Sequence, residues 1–298
     1  MPSLKDLKTQ INSVGSTKKI TSAMKMVAAS KLKKSQEKSE SAKPYSERIE
    51  EILYSLSKSN VSGEGVIQLL KGNNKDEKYL IIPVTADRGL CGGFNSSINR
   101  ESTKYIRELE KKGKNVNLIT IGKKSRDFFK RIMSDKIMES YVDMSIRGIT
   151  YSSAFTISKN IQKLYSEEKF DVCIIIYNKF KSAITQEVTK KQLIPLKIEK
   201  QNNDEENDQK KSNSIYKYEP DEKEILTDLL PKNISVQIFK ILLESDAGEQ
   251  GARMAAMDNA TRNAGEMIDN LTLKYNRTRQ AFITKELIEI ISGAESIQ

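Results

Sequence analysis

The C-terminal quarter of the chain sets the tightest limit on what it can fold into. Met257, Ala260, Ala264, Met267, Leu271, Lys274, Thr278 and Ala281 follow one another at alternating spacings of three and four residues. That repeat holds one stripe of a helix against a partner helix, and the many alanines call for close approach. The helical pattern runs from about Asn233 to Ser296. A helix of roughly 60 residues spans about 90–100 Å at 1.5 Å per residue. No single domain of this size is that wide, so much of such a rod must stand clear of any globular body and meet other chains.

The only internal candidate for its partner is the N-terminal segment. Leu4, Leu7, Ile11 and Val14 form a heptad seam. The pattern drifts near Gly15-Ser16-Thr17, resumes at Ile20, Met24, Val27 and Leu32, and reappears at Tyr45, Ile49, Ile52 and Leu56. Pro44 is expected to kink or break this helix. The two chain ends are therefore expected to wind into an antiparallel coiled coil. Gly63 and Gly65 mark a loop beyond the first helix.

Between the ends, strand and helix signals alternate. Leu80–Val84 reads as a buried strand, which Pro83 pushes toward an edge or a strand end. A glycine-rich loop and a helix near Ser97–Lys112 follow, then a strand at Val116–Ile121 and a short helix at Ser125–Met133. A further helix near Ser152–Glu168 precedes a strand at Asp171–Tyr177, and Ile184–Val188 with Leu193–Ile198 look like a terminal hairpin. The fold class is α/β: a long antiparallel coiled coil of the terminal helices flanks a small, mostly parallel, Rossmann-like domain. The expected boundaries are 1–60 for the N-terminal helix, 76–200 for the α/β domain and 221–298 for the C-terminal helix. Residues 201–220 form a linker, whose acidic run from Asn202 to Asp208 reads as disordered.

Composition narrows the chemistry. The 298 residues include no histidine, which removes the usual general base near neutral pH, every Ser–His or Cys–His pair and the commonest metal ligand. Cys91 and Cys173 are too few for a zinc site or a disulfide framework, and each reads as a small buried hydrophobe in a reducing compartment. No catalytic, cofactor-binding or metal-binding residue is assigned. A 30% charged fraction beside 6% aromatic residues suits long solvated helices better than a compact enzyme core. The net charge of +10 invites an acidic partner: nucleic acid, an anionic membrane surface or an acidic protein face. Met1-Pro2-Ser3-Leu4 opens directly into the helical pattern, without a signal or transit peptide, and no run reaches the ~18 apolar residues of a membrane span.

Three stretches carry the remaining signals. Asp87-Arg88-Gly89-Leu90-Cys91-Gly92-Gly93-Phe94-Asn95 lies between a strand and a helix, where phosphate loops occur. Its glycines do not follow the G-x-G-x-x-G spacing, and no acidic residue closes a second strand about twenty residues on. Gly122-Lys123-Lys124-Ser125 resembles the end of a Walker A loop, but Asn117 stands where the first glycine belongs. Tight turn packing is the better account of both, and an α/β nucleotide-binding enzyme with helical extensions is the alternative reading. Lys18, Lys19, Lys25, Lys31, Lys33 and Lys34 follow one another with no acid between Asp6 and Glu37. No aromatic residue interleaves with them, which favours a solvated face or an acidic protein partner over nucleic acid. Finally, Phe282 to Ile291 is apolar around most of the helix circumference, and such a helix is buried on all sides.

Taken together, three segments resemble the gamma subunit of rotary (F-type) ATP synthases, of bacterial type. They are Ile20–Lys31, Asp87–Gly93 and the stretch Ala252–Ala294, which includes Asn276-Arg277-Thr278-Arg279-Gln280-Ala281-Phe282-Ile283-Thr284-Lys285-Glu286. They occur in the family's order and nearly span the chain. The two-cysteine insert of chloroplast members is absent, so thiol control is not expected, and the acidic run after Gln201 is an insertion of a kind common in family variants.

The resemblance implies a non-catalytic central rotor shaft of the proton-translocating ATP synthase. Its partners would be three alpha and three beta subunits of the catalytic head, the epsilon subunit and the membrane rotor ring of c subunits. It would be peripheral to the bacterial inner membrane on the cytoplasmic side, with no direct membrane span and no nucleic acid. It also implies residue roles. Leu287, Ile288, Ile290 and Ile291 would turn in a hydrophobic bearing. Arg279, Gln280 and Thr284 would make the polar contacts of the catch region. Met24, Lys25 and Met26, together with Arg88, Cys91 and Gly92, would face the acidic lever loops of beta.

Overall fold

The computed structural model describes residues 3–58, 69–70, 72–144, 148–182, 185–196 and 222–295. The loop expected at Gly63 and Gly65 and the acidic run after Gln201 lie outside them. The elements, in chain order, are α1 (Leu4–Lys58), β1 (Lys78–Pro83), α2 (Phe94–Lys111), β2 (Asn115–Ile121), α3 (Lys123–Ile132) and β3 (Ile137–Tyr141). They continue with α4 (Tyr151–Ser166), β4 (Val172–Phe180), β5 (Gln186–Ile194) and α5 (Glu222–Glu295). The chain divides into two compact units. One joins Met1–Ser30 to Arg253–Gln298, and the other holds Lys31–Ala252.

In the first unit the terminal helices pair antiparallel. Lys25 meets Asp258, Thr261 donates to Thr21, and a side chain added at Gly265 would touch Lys18. Position numbers fall along α1 as they rise along α5, which only opposed helices can give. The buried and half-buried stripe of α1 is Leu4, Leu7, Ile11, Val14, Thr21, Lys25 and Ala28. It keeps strict heptad spacing once the exposed Lys18 is counted in its place. The facing stripe of α5 is Met257, Thr261, Ala264, Ile268, Leu271, Tyr275 and Thr278.

These stripes correct the expected seam. No drift occurs at Gly15–Thr17. The seam there turns polar, through Lys18, Thr21 and Lys25, while Ile20 (60%) and Val27 (57%) stay exposed. On α5, Met257, Ala264, Leu271 and Thr278 lie on the seam and Ala260 is half-buried beside Thr261, but Met267 and Lys274 are exposed and Ile268 and Tyr275 take their places. Assigning the seam by apolarity alone fails where hydrogen bonds carry it.

The second unit is a five-stranded sheet in the order β3-β2-β1-β4-β5. β1 pairs in parallel with β2 and β4, and β2 with β3; only β5 runs antiparallel, against β4. Helices cover both faces, as parallel sheets require. Leu80, Ile82, Ile119, Ile121, Cys173 and Ile175 pack against Ile49 and Leu53 of α1, Ile157 and Ile161 of α4, and Leu230, Ile234 and Ile238 of α5. Ile81, Leu118, Ile174 and Ile176 point the other way, onto Ile98 and Ile106 of α2 and Phe129 of α3. Each fully buried aliphatic side chain contributes about 1.5–3 kcal/mol by leaving water.

Several local expectations are revised. α1 is continuous through Pro44. The ring costs the helix the bond to the carbonyl of Glu40, but both residues are exposed and water can replace the missing donor. α5 likewise passes through Pro231 and begins well before Asn233. Of the two places expected for Pro83, an edge or a strand end, the structure shows the strand end, on a central strand. β3 was missed because Ile-Met-Glu-Ser-Tyr is short and half polar. Of the expected terminal hairpin, Gln186–Ile194 is the single edge strand β5, in which Thr189, Lys191 and Gln192 are half-buried and Lys190 is exposed, while Ile184 and positions 197 and 198 lie outside the described residues.

Candidate partner-contact surfaces

In the first unit the α5 stripe ends at Thr278, and every residue from Arg279 to Ala294 is exposed. Among them, Phe282, Ile283, Leu287, Ile288, Ile290 and Ile291 are each between 50% and 65% accessible. An open apolar patch of this kind is typical of sites that meet another protein or a membrane. Arg279, Gln280 and Thr284 are exposed at its start. On α1, Met26 is 66% accessible and Met24 half-buried, and Ile20 and Val27 add apolar surface that the sequence reading had assigned to the seam. Lys25 is different. Its ammonium lies 2.6 Å from Asp258, so its charge is already matched within the chain. That hydrogen bond, reinforced by the lysine's charge, holds the Asp258 carboxyl below its ordinary pKa.

The glycine loop belongs to the second unit. It leaves β1 at the centre of the sheet and enters α2, whose Phe94 is pressed close to Gly248 of α5. Arg88, Leu90 and Gly92 are exposed, and Leu90 and Gly92 adopt left-handed backbone with φ of 63° and 56°. Asn95 ties the loop together, its Oδ1 accepting from the Ala86 amide at 2.9 Å and its Nδ2 reaching the Arg88 carbonyl at 3.4 Å. Cys91 requires correction. Its side chain is buried in the core beside Phe94, so it shapes the loop from within rather than meeting a partner. The exposed apolar group of the loop is Leu90, which sequence reasoning left off the contact list. An apolar residue inside a glycine turn was the available signal.

The Gly122-Lys123-Lys124-Ser125 stretch can be judged directly. If it served as a phosphate loop, the N-terminal amides of α3 would receive the phosphate. Here they are taken: Lys123 N–H donates to Asp87 Oδ1, Lys124 N–H to the Ala86 carbonyl and Ser125 N–H to Thr85 Oγ1. Gly122, at φ 93°, lies so close to Thr85 that an added Cβ would stand 2.1 Å from its carbonyl oxygen. The chain's own groups fill the seat a phosphate would need. No helix among the described residues is long and apolar enough to cross a membrane.

These features define an assembly subunit, with paired terminal helices, an α/β body and open apolar or cationic surfaces. The ATP synthase family profile matches residues 3–297. An ATP synthase gamma chain of Rhodospirillum rubrum is 53% identical over 302 residues, covering 100% of both chains, and one of Pelagibacter ubique is 51% identical over 297 residues at the same coverage. Among solved structures, the central stalk and c-ring part of the Tetrahymena thermophila mitochondrial ATP synthase is similar at TM-score 0.59 and 25% identity, covering 81% of this chain and 99% of that one. A chain of the Euglena gracilis mitochondrial enzyme shares the fold at TM-score 0.64 and 18% identity, covering 99% and 94%. The chain belongs to the ATP synthase gamma chain family.

Proposed function

We propose that this chain is the central rotor shaft of a proton-translocating ATP synthase, without catalytic chemistry of its own. The observation that carries the reading is the uncovered apolar end of α5, from Phe282 to Ile291, which asks for a sleeve of other subunits. In this reading the sleeve is three alpha and three beta subunits around one shaft. An asymmetric rod touches three identical catalytic sites differently, so each beta subunit adopts its own conformation and nucleotide affinity. Turning the rod exchanges those roles. Such coupling requires contacts that differ between states, since a surface binding all states equally shifts nothing.

The residues divide accordingly. Leu287, Ile288, Ile290 and Ile291 form the bearing, where non-directional contact lets the shaft turn without breaking many hydrogen bonds per step. Arg279, Gln280 and Thr284 offer directional bonds that define dwell positions. Met24 and Met26 of α1 give apolar contacts to the acidic levers of beta, and Arg88, Leu90 and Gly92 of the glycine loop give mixed apolar and polar ones. Lys25 joins them only if it shares or releases Asp258. The α/β domain engages the epsilon subunit and the ring of c subunits, at the cytoplasmic face of a bacterial membrane.

The test is to express the tagged chain with alpha and beta subunits. The expected product holds three of each around one tagged chain and hydrolyses ATP with magnesium while a bead on the tag rotates. A catalytically active alpha–beta complex in which the tagged chain stays still would end the proposal.

A further inference from the structure

Asp87 is buried at the point where the glycine loop leaves the sheet. Its Oδ1 accepts two backbone hydrogen bonds, from Lys123 N–H at 3.0 Å and from Asp143 N–H at 2.9 Å. Asp87 itself follows β1, Lys123 opens α3 just after β2, and Asp143 follows β3. A single oxygen thus joins three successive strand ends. α3 has no acidic residue in its first turn, which carries Lys123, Lys124 and Arg126, and the helix N-terminus adds its partial positive charge. Asp143 is held at φ 60°, a left-handed conformation that needs such an anchor.

We propose that Asp87 is the positioning residue of the Arg88–Gly93 loop. Its carboxylate occupies the anion seat at the head of α3 and so fixes where the loop leaves the sheet. Asn95 secures the far end of the same loop, through Ala86 N–H and the Arg88 carbonyl. Between the two anchors, Arg88, Leu90 and Gly92 are presented to the outside on a preset path. The clasp stands on geometry alone; its bearing on torque rests on the proposed contact between this loop and beta.

The test uses the full chain and three samples: the natural protein, Asp87→Ala and Asp87→Asn. Amide hydrogen exchange is followed at Lys123, Asp143 and residues 88–93, with Ile81, Ile119 and Ile175 as references. The alanine variant should exchange about tenfold faster or more at Lys123, Asp143 and the loop, as loss of charge-assisted bonds predicts, with the reference strands unchanged. The asparagine variant, whose amide oxygen can accept the same two bonds, should stay within about threefold of the natural protein. Added formate should restore protection in the alanine variant in a saturable way. Unchanged exchange at Lys123 and Asp143 in the alanine variant, asparagine behaving like alanine, or no rescue by formate overturns the proposal. Should the alanine variant not fold, the asparagine variant decides alone: retained protection supports the clasp and lost protection removes it. The assembled enzyme separates the two readings. Faster exchange with unchanged coupling of hydrolysis to rotation keeps the clasp and removes the loop's contact with beta.

Discussion

Lys25 Nζ and Asp258 Oδ1 lie 2.6 Å apart although 233 positions separate them in the chain, and each side chain is 45% exposed. The pair fixes which turn of α1 faces which turn of α5. Because the Asp258 pKa is lowered on folding, the bond's contribution is present above the unfolded carboxyl value and is lost as pH falls through the folded one. It is therefore complete at neutral pH and vanishes only in acid, below the usual carboxylate range.

Charge reversal tests this relationship. Lys25→Glu should lower the thermal midpoint of the full chain by placing two carboxylates together. Adding Asp258→Lys should recover most of the loss, by an amount that shrinks in high salt. A double variant no more stable than the two losses added would remove the pair from the register. In the assembled enzyme the same double variant should remain poorly coupled if Lys25 also serves the lever loops. Full recovery of coupling would confine Lys25 to the intrachain bond.

Glycines at two positions should respond in opposite directions. Gly122 combines φ 93° with a backbone oxygen 2.1 Å from any added Cβ, so Gly122→Ala should cost about 3–5 kcal/mol in denaturant unfolding. Gly15 lies within α1 with nothing within 4 Å of an added Cβ. Gly15→Ala should stabilise by about 0.5–1 kcal/mol, the usual helix-interior difference. Equal effects at the two sites would mean that neither glycine is explained by its geometry.

What the sequence revealed follows from the kind of force at each place. The long helices were legible because burial imposes a period, as at Leu4, Leu7, Ile11 and Val14, and the central strand because Leu80–Ile82 is a continuous apolar run enclosed on both faces. The middle of the seam was not, since Thr21 meets Thr261 by a hydrogen bond of 2.7 Å and neither residue marks an apolar stripe. β5 was divided in two for the related reason that an edge strand keeps polar residues on its open side. The all-round apolarity of α5 from Phe282 to Ile291 was legible in the sequence, and these side chains stand exposed on the free chain. The burial of Cys91 agrees with its reading as a small buried hydrophobe, whereas the outward turn of Leu90 depends on left-handed backbone in the loop, which periodicity does not record.

The cysteines give a kinetic test of burial. Neither forms a disulfide, Cys91 is 1% exposed and Cys173 is fully enclosed, where burial pushes its thiol pKa up. The thiolate is the reactive form, so neither site should be labelled by a maleimide at pH 8 on a timescale shorter than unfolding. Both should react at once in denaturant. Rapid labelling of Cys173 in the folded chain would contradict its place between the helices and the sheet.

The exposed end of α5 separates stability from assembly. Ile290→Asp and Ile291→Asp change side chains that are 65% and 54% accessible in the free chain. Surface changes of this kind usually stay within about 0.5 kcal/mol, so the thermal midpoint of the isolated protein should hardly move. In the assembled enzyme the same carboxylates would enter an apolar sleeve without a partner, a burial that costs several-fold more than the surface change. Native mass spectrometry should therefore show the variant chain leaving the alpha–beta ring while remaining folded. If both variants assemble as well as the natural chain, that stretch of α5 is not enclosed, and the bearing must be sought elsewhere on the helix.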